Sequence, residues 1–346
     1  MQKANDLKKK RIIAVIGVQR SGTSAITRGL QVLGVNLGNF YGHDIVSPDN
    51  EKGFFEDLEI SHLDVNMLNS IGYTWDNPTL PIFDDNTKLV LSAFYPIAAN
   101  IINRRFENTD LFGFKDPHAV KLLPFWNEVF KDAGIEVSYI ITCRNPLSVI
   151  KSSMHHREGF DSVKGFYIWL GATLASLIYS ADYNRIVVDY DELMKDPEKQ
   201  LGRTAERLNL KFDADSPEFI EYKESFLSES LRHSSFGIDV LAANTEVPPK
   251  VVELYILLKR IAMDEISIDS VEAAAKINKI YSWIEELRST LLHMQAQFDA
   301  LLYLKKESDK KDAKIAELTR DLAATSSFLR KQESRNVLSI NETTNK

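Results

Sequence analysis

Apolar and polar positions follow two regimes along the chain, and the change falls near residue 250. Up to about residue 210, short aliphatic and β-branched runs at 11 to 17, 110 to 115, 137 to 142 and 185 to 189 predict strands. Stretches with apolar residues three and four apart predict helices over 24 to 33, 57 to 71, 88 to 106, 119 to 132, 146 to 154, 162 to 181 and 197 to 208. Strand and helix in alternation imply an α/β fold, a parallel sheet flanked by helices on both faces. Asp76 to Asp85, with Pro78 and Pro81, is a loop in a position to cover a ligand.

Beyond Pro248-Pro249, a hinge or boundary, the pattern is helical throughout. Helix is predicted over 250 to 262. Ala273, Ile277, Ile280, Ile284, Leu287, Leu291, Met294, Phe298 and Leu301 then alternate spacings of four and three, a heptad seam. After a polar stretch, Ile315, Leu322 and Leu329 return in register while Leu318 falls one position off. Such a seam wants a partner helix: a second copy, the chain's own helix 250 to 262, or another protein. The expected organisation is an α/β domain over 1–247, a helical and coiled-coil region over 248–335, and a polar, disordered tail over 336–346.

The net charge of −7 excludes a general nucleic-acid binder, since phosphate backbones reward clustered lysine and arginine. The single cysteine, Cys143, forms no internal disulfide, and no His/Cys cluster has zinc-ligand spacing. Metal-free chemistry in a reducing compartment is expected. The polar start, Met1 to Arg11, predicts no signal peptide, and the uncharged stretch Gly165 to Ala181 falls short of a bilayer span. A cytoplasmic protein without a transmembrane segment is expected.

The first strand runs into Gly17-Val-Gln-Arg-Ser-Gly-Thr23 and opens onto a helix. Glycines there turn backbone N–H groups inward and the helix N-terminus adds partial positive charge, a phosphate cradle. The Gly17-x-x-x-x-Gly22 spacing is that of the Walker A loop, yet Thr23 stands where a nucleoside triphosphatase carries lysine. Arg20 supplies the cation. A ligandless tight turn has the same spacing. Downstream, Val137 to Thr142 leads into Cys143-Arg-Asn-Pro146 and a helix with Asn145 as N-cap and Pro146 at its first position. Arg144 leaves the carboxyl end of a strand, and Ser152, about two turns on, shares the cap's face. An arginine and a hydroxyl so placed can hold a second phosphate.

Together these segments resemble the sulfotransferase family that uses 3′-phosphoadenosine 5′-phosphosulfate (PAPS). The match is strongest to bacterial members, over about residues 10 to 235. Lys52-Gly-Phe-Phe-Glu-Asp57, Gly113-Phe-Lys-Asp-Pro-His118, Pro124-Phe-Trp126 and Val188 to Pro197 add to it. Gln19 departs from the family's proline, and His118 from the arginine usual in bacterial members. The resemblance implies PAPS as donor, with Arg20, Ser21, Gly22, Thr23 and Ser24 on the 5′-phosphosulfate and Arg144 and Ser152 on the 3′-phosphate. It makes Lys115 a second cation near the transferred group; a surface pair with Asp116 is the alternative.

An acceptor hydroxyl needs a general base. Glu56, beside two aromatics, is the first candidate, although it also reads as a helix N-terminal acid. His118 is the second, and Asp116, His43 and Asp44 stay open. Phe54, Phe55, Tyr73, Trp75 and Trp126 offer faces for a sugar ring or belong to the core. His155 and His156 read as a solvated helix end. By analogy with bacterial relatives, the acceptor is a surface glycan or glycolipid. Two alternatives remain: a small-molecule kinase on the same scaffold, which Thr23 disfavours, and a non-catalytic nucleotide-binding scaffold of a glycan assembly complex that works through its coiled coil.

Overall fold

The architecture is described from a computed structural model, over residues 9 to 38, 53 to 156, 160 to 227 and 236 to 344. Strand β1 (Arg11–Ile16) passes through the glycine loop into α1 (Thr23–Val32). Helices α2 (Leu58–Ser70), α3 (Asp85–Ser92) and α4 (Tyr95–Arg105) lead to β2 (Leu111–Lys115). A 3-10 turn (Ala119–Leu122) and α5 (Leu123–Asp132) precede β3 (Glu136–Cys143), and α6 (Pro146–His156) and α7 (Ser162–Tyr179) precede β4 (Asn184–Asp189). After β4 come α8 (Tyr190–Lys195), α9 (Pro197–Leu208), α10 (Pro217–Glu221) with a π turn (Tyr222–Phe226), and α11 (Ile238–Ala243). The chain ends in α12 (Pro249–Ala262), α13 (Val271–Glu286) and α14 (Arg288–Thr344).

The four strands form one parallel sheet in the order β2-β1-β3-β4. Ile12 to Ile16 have no exposed surface, as expected for a central strand covered on both faces. From β1 the chain goes to β2 on one side and then to β3 on the other. The carboxyl ends of β1 and β3 therefore bound the crevice where open α/β sheets bind ligands. Register places Val15 beside Lys115, so the end of β2 opens onto the same edge.

All four predicted strands and the main helices form within a few residues of their expected limits. The expected helix 88 to 106 is two helices, α3 and α4. Pro96 in the first turn of α4 lacks an N–H and cannot bond back to the Ser92 carbonyl, so the helical ladder is interrupted between Ser92 and Tyr95. The short α8, α10 and α11 carry too few turns to show a period in sequence.

Two compact units result, Met1–Ser289 and Thr290–Lys346. Pro249 opens α12, which packs on β4 and β3 within the first unit. The early part of the heptad seam is also spent there: Ala273, Ile277, Ile280 and Ile284 are buried on α13, which packs on α7 and α12. The second unit is helix α14, whose backbone stays helical through Thr344, across most of the stretch expected as a disordered tail. Among the described residues, no helix is long and apolar enough to cross a membrane.

Candidate functional site

The loop between β1 and α1 is held tightly against the crevice. Gly17 has φ 146°, and a Cβ there would lie 2.1 Å from Thr142 Oγ1. Gly22 has φ 89°, and a Cβ there would lie 2.2 Å from the Tyr190 ring. Neither position admits a side chain. Ser21 Oγ is shared between Val18 O at 2.6 Å and Thr142 Oγ1 at 2.5 Å, which ties the loop to the end of β3. Arg20 takes left-handed backbone at φ 68°. Helix α1 begins at Thr23 with no side-chain cap at Gly22 and no acidic residue in its first turn, so its positive end is left for an anion. Ser24 Oγ donates to Phe54 O at 3.2 Å and so joins this helix to the segment before α2.

Arg144 and Ser152 arrive from the other wall. Asn145 Oδ1 accepts from Leu147 N at 2.9 Å and starts α6, while its side-chain amide donates to Phe236 O at 2.8 Å. Arg144 is buried, stacks its guanidinium over Tyr190 at 4.6 Å from the ring centroid, and donates from Nη1 to Arg20 O at 3.0 Å. Arg20 Nε in turn donates to Ser152 Oγ at 3.0 Å. Residues read separately for two phosphates thus form one linked group.

The third wall is the turn before α2. Gly53 and Phe55 both have positive φ, 89° and 52°, and the Phe55 ring is buried edge-on against Phe226. This uncommon backbone aims Glu56 at the end of β2. Lys115 Nζ donates to Glu56 Oε1 at 2.6 Å, with the lysine side chain only 3% exposed. The partner of Lys115 is therefore Glu56 and not Asp116. The N-cap of α2 is Asp57, which accepts from Glu59 N and Ile60 N and forms a buried bidentate pair with Arg105 at 2.6 and 2.9 Å. Glu56 precedes the cap rather than sitting in the helix.

Beside this pair runs a buried carboxyl relay. His118 donates to Asp116 Oδ1 from Nδ1 at 2.7 Å and from its backbone N–H at 3.0 Å. Asp116 and Asp64 have no exposed surface, and Trp126 Nε1 donates to Asp64 Oδ1 at 2.7 Å. Asp64 and Asp116 lie close enough that each carboxyl shifts the titration of the other. Burial, then the Asp116 charge, holds Asp64 well above the usual carboxylate range. Burial also pushes Asp116 up, but His118 outweighs it and the group lies below its ordinary value. For His118, burial acts downward, yet the charges of Asp116 and Glu56 raise the imidazole above its ordinary value. Asp116 engages Nδ1, which leaves Nε2 as the other titratable nitrogen of the ring.

Asp64 is absent from the sequence reading, although it had a signal: an acid inside the apolar stripe Ile60, Leu63, Met67 and Leu68 of α2. The loop after α2 is fixed from below by Lys121, whose buried Nζ donates to the carbonyls of Thr74, Trp75 and Asn77. Lys164 Nζ holds Asp76 at 2.6 Å. Of the expected aromatic faces, Trp126 and Phe55 are core, while Phe54, Tyr73 and Trp75 are half-buried. His155 is exposed near the end of α6. His43, Asp44 and Lys52 lie outside the described residues, as does the side chain of His156.

No family model matches the chain. No curated protein matches it. Among solved structures it is similar to the sulfotransferase domain of a Synechococcus olefin synthase, with a TM-score of 0.37 and 14% identity over 74% of this chain and 98% of that one. A sulfotransferase from Mycobacterium tuberculosis gives 0.36 and 16%, over 75% of this chain and 78% of the other. Retinol dehydratase, solved with retinol and PAP, gives 0.31 and 14%, over 69% of each chain. These likenesses concern the path of the backbone; the chemistry rests on the side chains described above.

Proposed function

We propose that the chain is a PAPS-dependent sulfotransferase acting on a hydroxyl of a carbohydrate, a surface glycan or glycolipid. The observation that carries this reading is the linked group Arg20, Arg144 and Ser152 at the carboxyl ends of β1 and β3. A nucleotide with a phosphate at each end of one ribose needs two neighbouring anion sites, one on a helix N-terminus and one on an arginine. The uncapped, acid-free start of α1, and the glycine cradle that a Cβ would fill, fit the first. Arg144 with Ser152 fits the second. When bound, the donor supplies the sulfuryl group and a phosphate leaving group.

The chain's own residues then divide the remaining work. Arg20 and the amides of Gly22 and Thr23 stabilise charge at the 5′ end, to which Ser24 Oγ would donate in place of Phe54 O. Tyr190 and the Arg20 carbonyl orient Arg144. Lys115, held by Glu56, places a second cation beside the end of β1. His118 takes the acceptor proton at Nε2 while Asp116 fixes the proton on Nδ1. Glu56, the first candidate on sequence grounds, is instead assigned to positioning Lys115, because its carboxylate is engaged there. The half-buried faces of Phe54, Tyr73 and Trp75 suit a sugar ring.

Calorimetric titration with adenosine 3′,5′-bisphosphate, 5′-AMP and ATP tests the donor assignment. Micromolar binding that requires the 3′-phosphate and is lost in Arg144→Ala is expected. Equal binding of 5′-AMP, or preference for ATP, would defeat it. Transfer of labelled sulfate from PAPS to a panel of glycan hydroxyls then tests the acceptor class.

A further inference from the structure

The second unit presents an apolar line to solvent. Leu301, Leu304, Ile315 and Leu318 on α14 are 60, 62, 60 and 55% exposed. With Ser308 and Lys311 between them, these positions follow the spacing of a heptad seam, three and four apart, over about five helical turns. A stripe of this kind is left exposed only at a cost unless another helix covers it.

The polar residues within and beside the stripe specify the occupant. We infer that it is a second copy of this chain, packed antiparallel about a two-fold axis lying between Asp309 and Lys310. In that register Leu301 meets the other copy's Leu318, and Leu304 meets its Ile315. The polar seam positions also meet each other, Ser308 opposite Lys311, where the hydroxyl can accept from the ammonium. The flanking charges agree: Lys305 falls beside Asp312 of the other copy, and Glu307 beside its Lys314. A parallel pair would place Lys311 on Lys311 and Glu307 beside Asp312, both like charges. Sliding the antiparallel pair by one heptad or two sets Lys311 against Ile315 or Leu322, a charge on an apolar side chain. Beyond Leu318 the favoured register sets Leu322 against Gln297, so the seam closes between Leu301 and Leu318, about 27 Å of helix.

Within one copy, Glu307 pairs with Lys310 at 2.7 Å and Lys314 with Glu317 at 2.9 Å. These pairs lie at the surface, where such bonds contribute little and exchange readily. A polar layer inside a short apolar seam lowers affinity while fixing register, so a reversible dimer follows rather than a permanent one.

Sedimentation velocity of the full chain over micromolar concentrations tests the pairing. A concentration-dependent shift from monomer to dimer mass is expected. Glu307→Lys sets lysine against the other copy's Lys314 at both ends of the seam and weakens the dimer by about fivefold or more. The double change Glu307→Lys/Lys314→Glu restores it. In a parallel pair the single change would instead set lysine beside Asp312 and tighten the dimer. Orientation is also read by oxidative cross-linking, for which the native Cys143 is buried and silent. Leu301→Cys mixed with Leu318→Cys forms a covalent pair, whereas neither variant cross-links with itself. Circular dichroism confirms that each variant keeps its helix. A chain that stays monomeric, a dimer that Glu307→Lys tightens, a double change that does not recover, or self-linking of either cysteine variant overturns the inference.

Discussion

Asp116 neighbours Asp64, whose carboxyl burial holds well above its ordinary value, and hydrogen-bonds the imidazole of His118, so its charge acts on His118. Activity that needs neutral His118 should rise with pH, with a midpoint above the ordinary histidine value of about 6.5. In Asp116→Asn the carboxylate that raises the imidazole is gone and burial remains. The midpoint of the kcat/KM profile should move down, with turnover lower by about tenfold or more. A profile with an unmoved midpoint would remove His118 from the mechanism. The same raised value gives the native state a stabilisation that is complete below the unfolded histidine pKa and disappears as pH rises through the folded one. Lys121 has a different task. Lys121→Met leaves three carbonyls of the loop after α2 without their donor, and the protein should lose about 3 kcal/mol in urea denaturation.

At the level of elements, the site depends on how closely the β1–α1 loop lies against its neighbours. Gly22→Ala combines left-handed backbone with a collision against the Tyr190 ring, the ring on which Arg144 stacks. Nucleotide affinity should fall by about tenfold or more while circular dichroism stays unchanged; undiminished affinity would mean that the Tyr190 stack does not hold Arg144 in place. This loop was legible in the sequence because strand, glycine spacing and helix start are all local signals. So were the four strands, whose β-branched runs need no tertiary information. The Glu56–Lys115 pair and the relay through Asp64 were not legible. Each joins residues about fifty positions apart, and only the packing of α2 on the 3-10 turn that follows β2 brings these segments together. The paired glycine and Phe55 turn before Glu56 likewise shows no pattern, since a left-handed phenylalanine is selected by its surroundings and not by its own preference.

Across the whole chain, heptad spacing serves two purposes, with one of its two rows shifted by a position past Leu301. Through Ile284 it buries α13 against α12 and α7, and past Leu301 it lies open on α14. Sequence periodicity could not separate them, because a seam that packs inside a unit and one that awaits a partner have the same spacing. The division between Ser289 and Thr290 leads to opposite outcomes for two truncations. A chain ending at Ser289 keeps α12 and α13 over the sheet and should fold, bind adenosine 3′,5′-bisphosphate as the full chain does, and sediment as a monomer. A chain ending at Pro248 loses α12, whose Val251, Leu254, Leu258 and Ile261 are buried, and with it Lys259, which pairs with Asp189 and Glu192 at the end of β4. Leaving Asp189 buried without that cation costs several kcal/mol on top of the lost apolar burial. The shorter chain should be insoluble or lack a cooperative thermal transition. If it folds and binds nucleotide normally, the catalytic unit ends before α12, and the helices beyond Pro248 belong to the partner-binding half of the molecule.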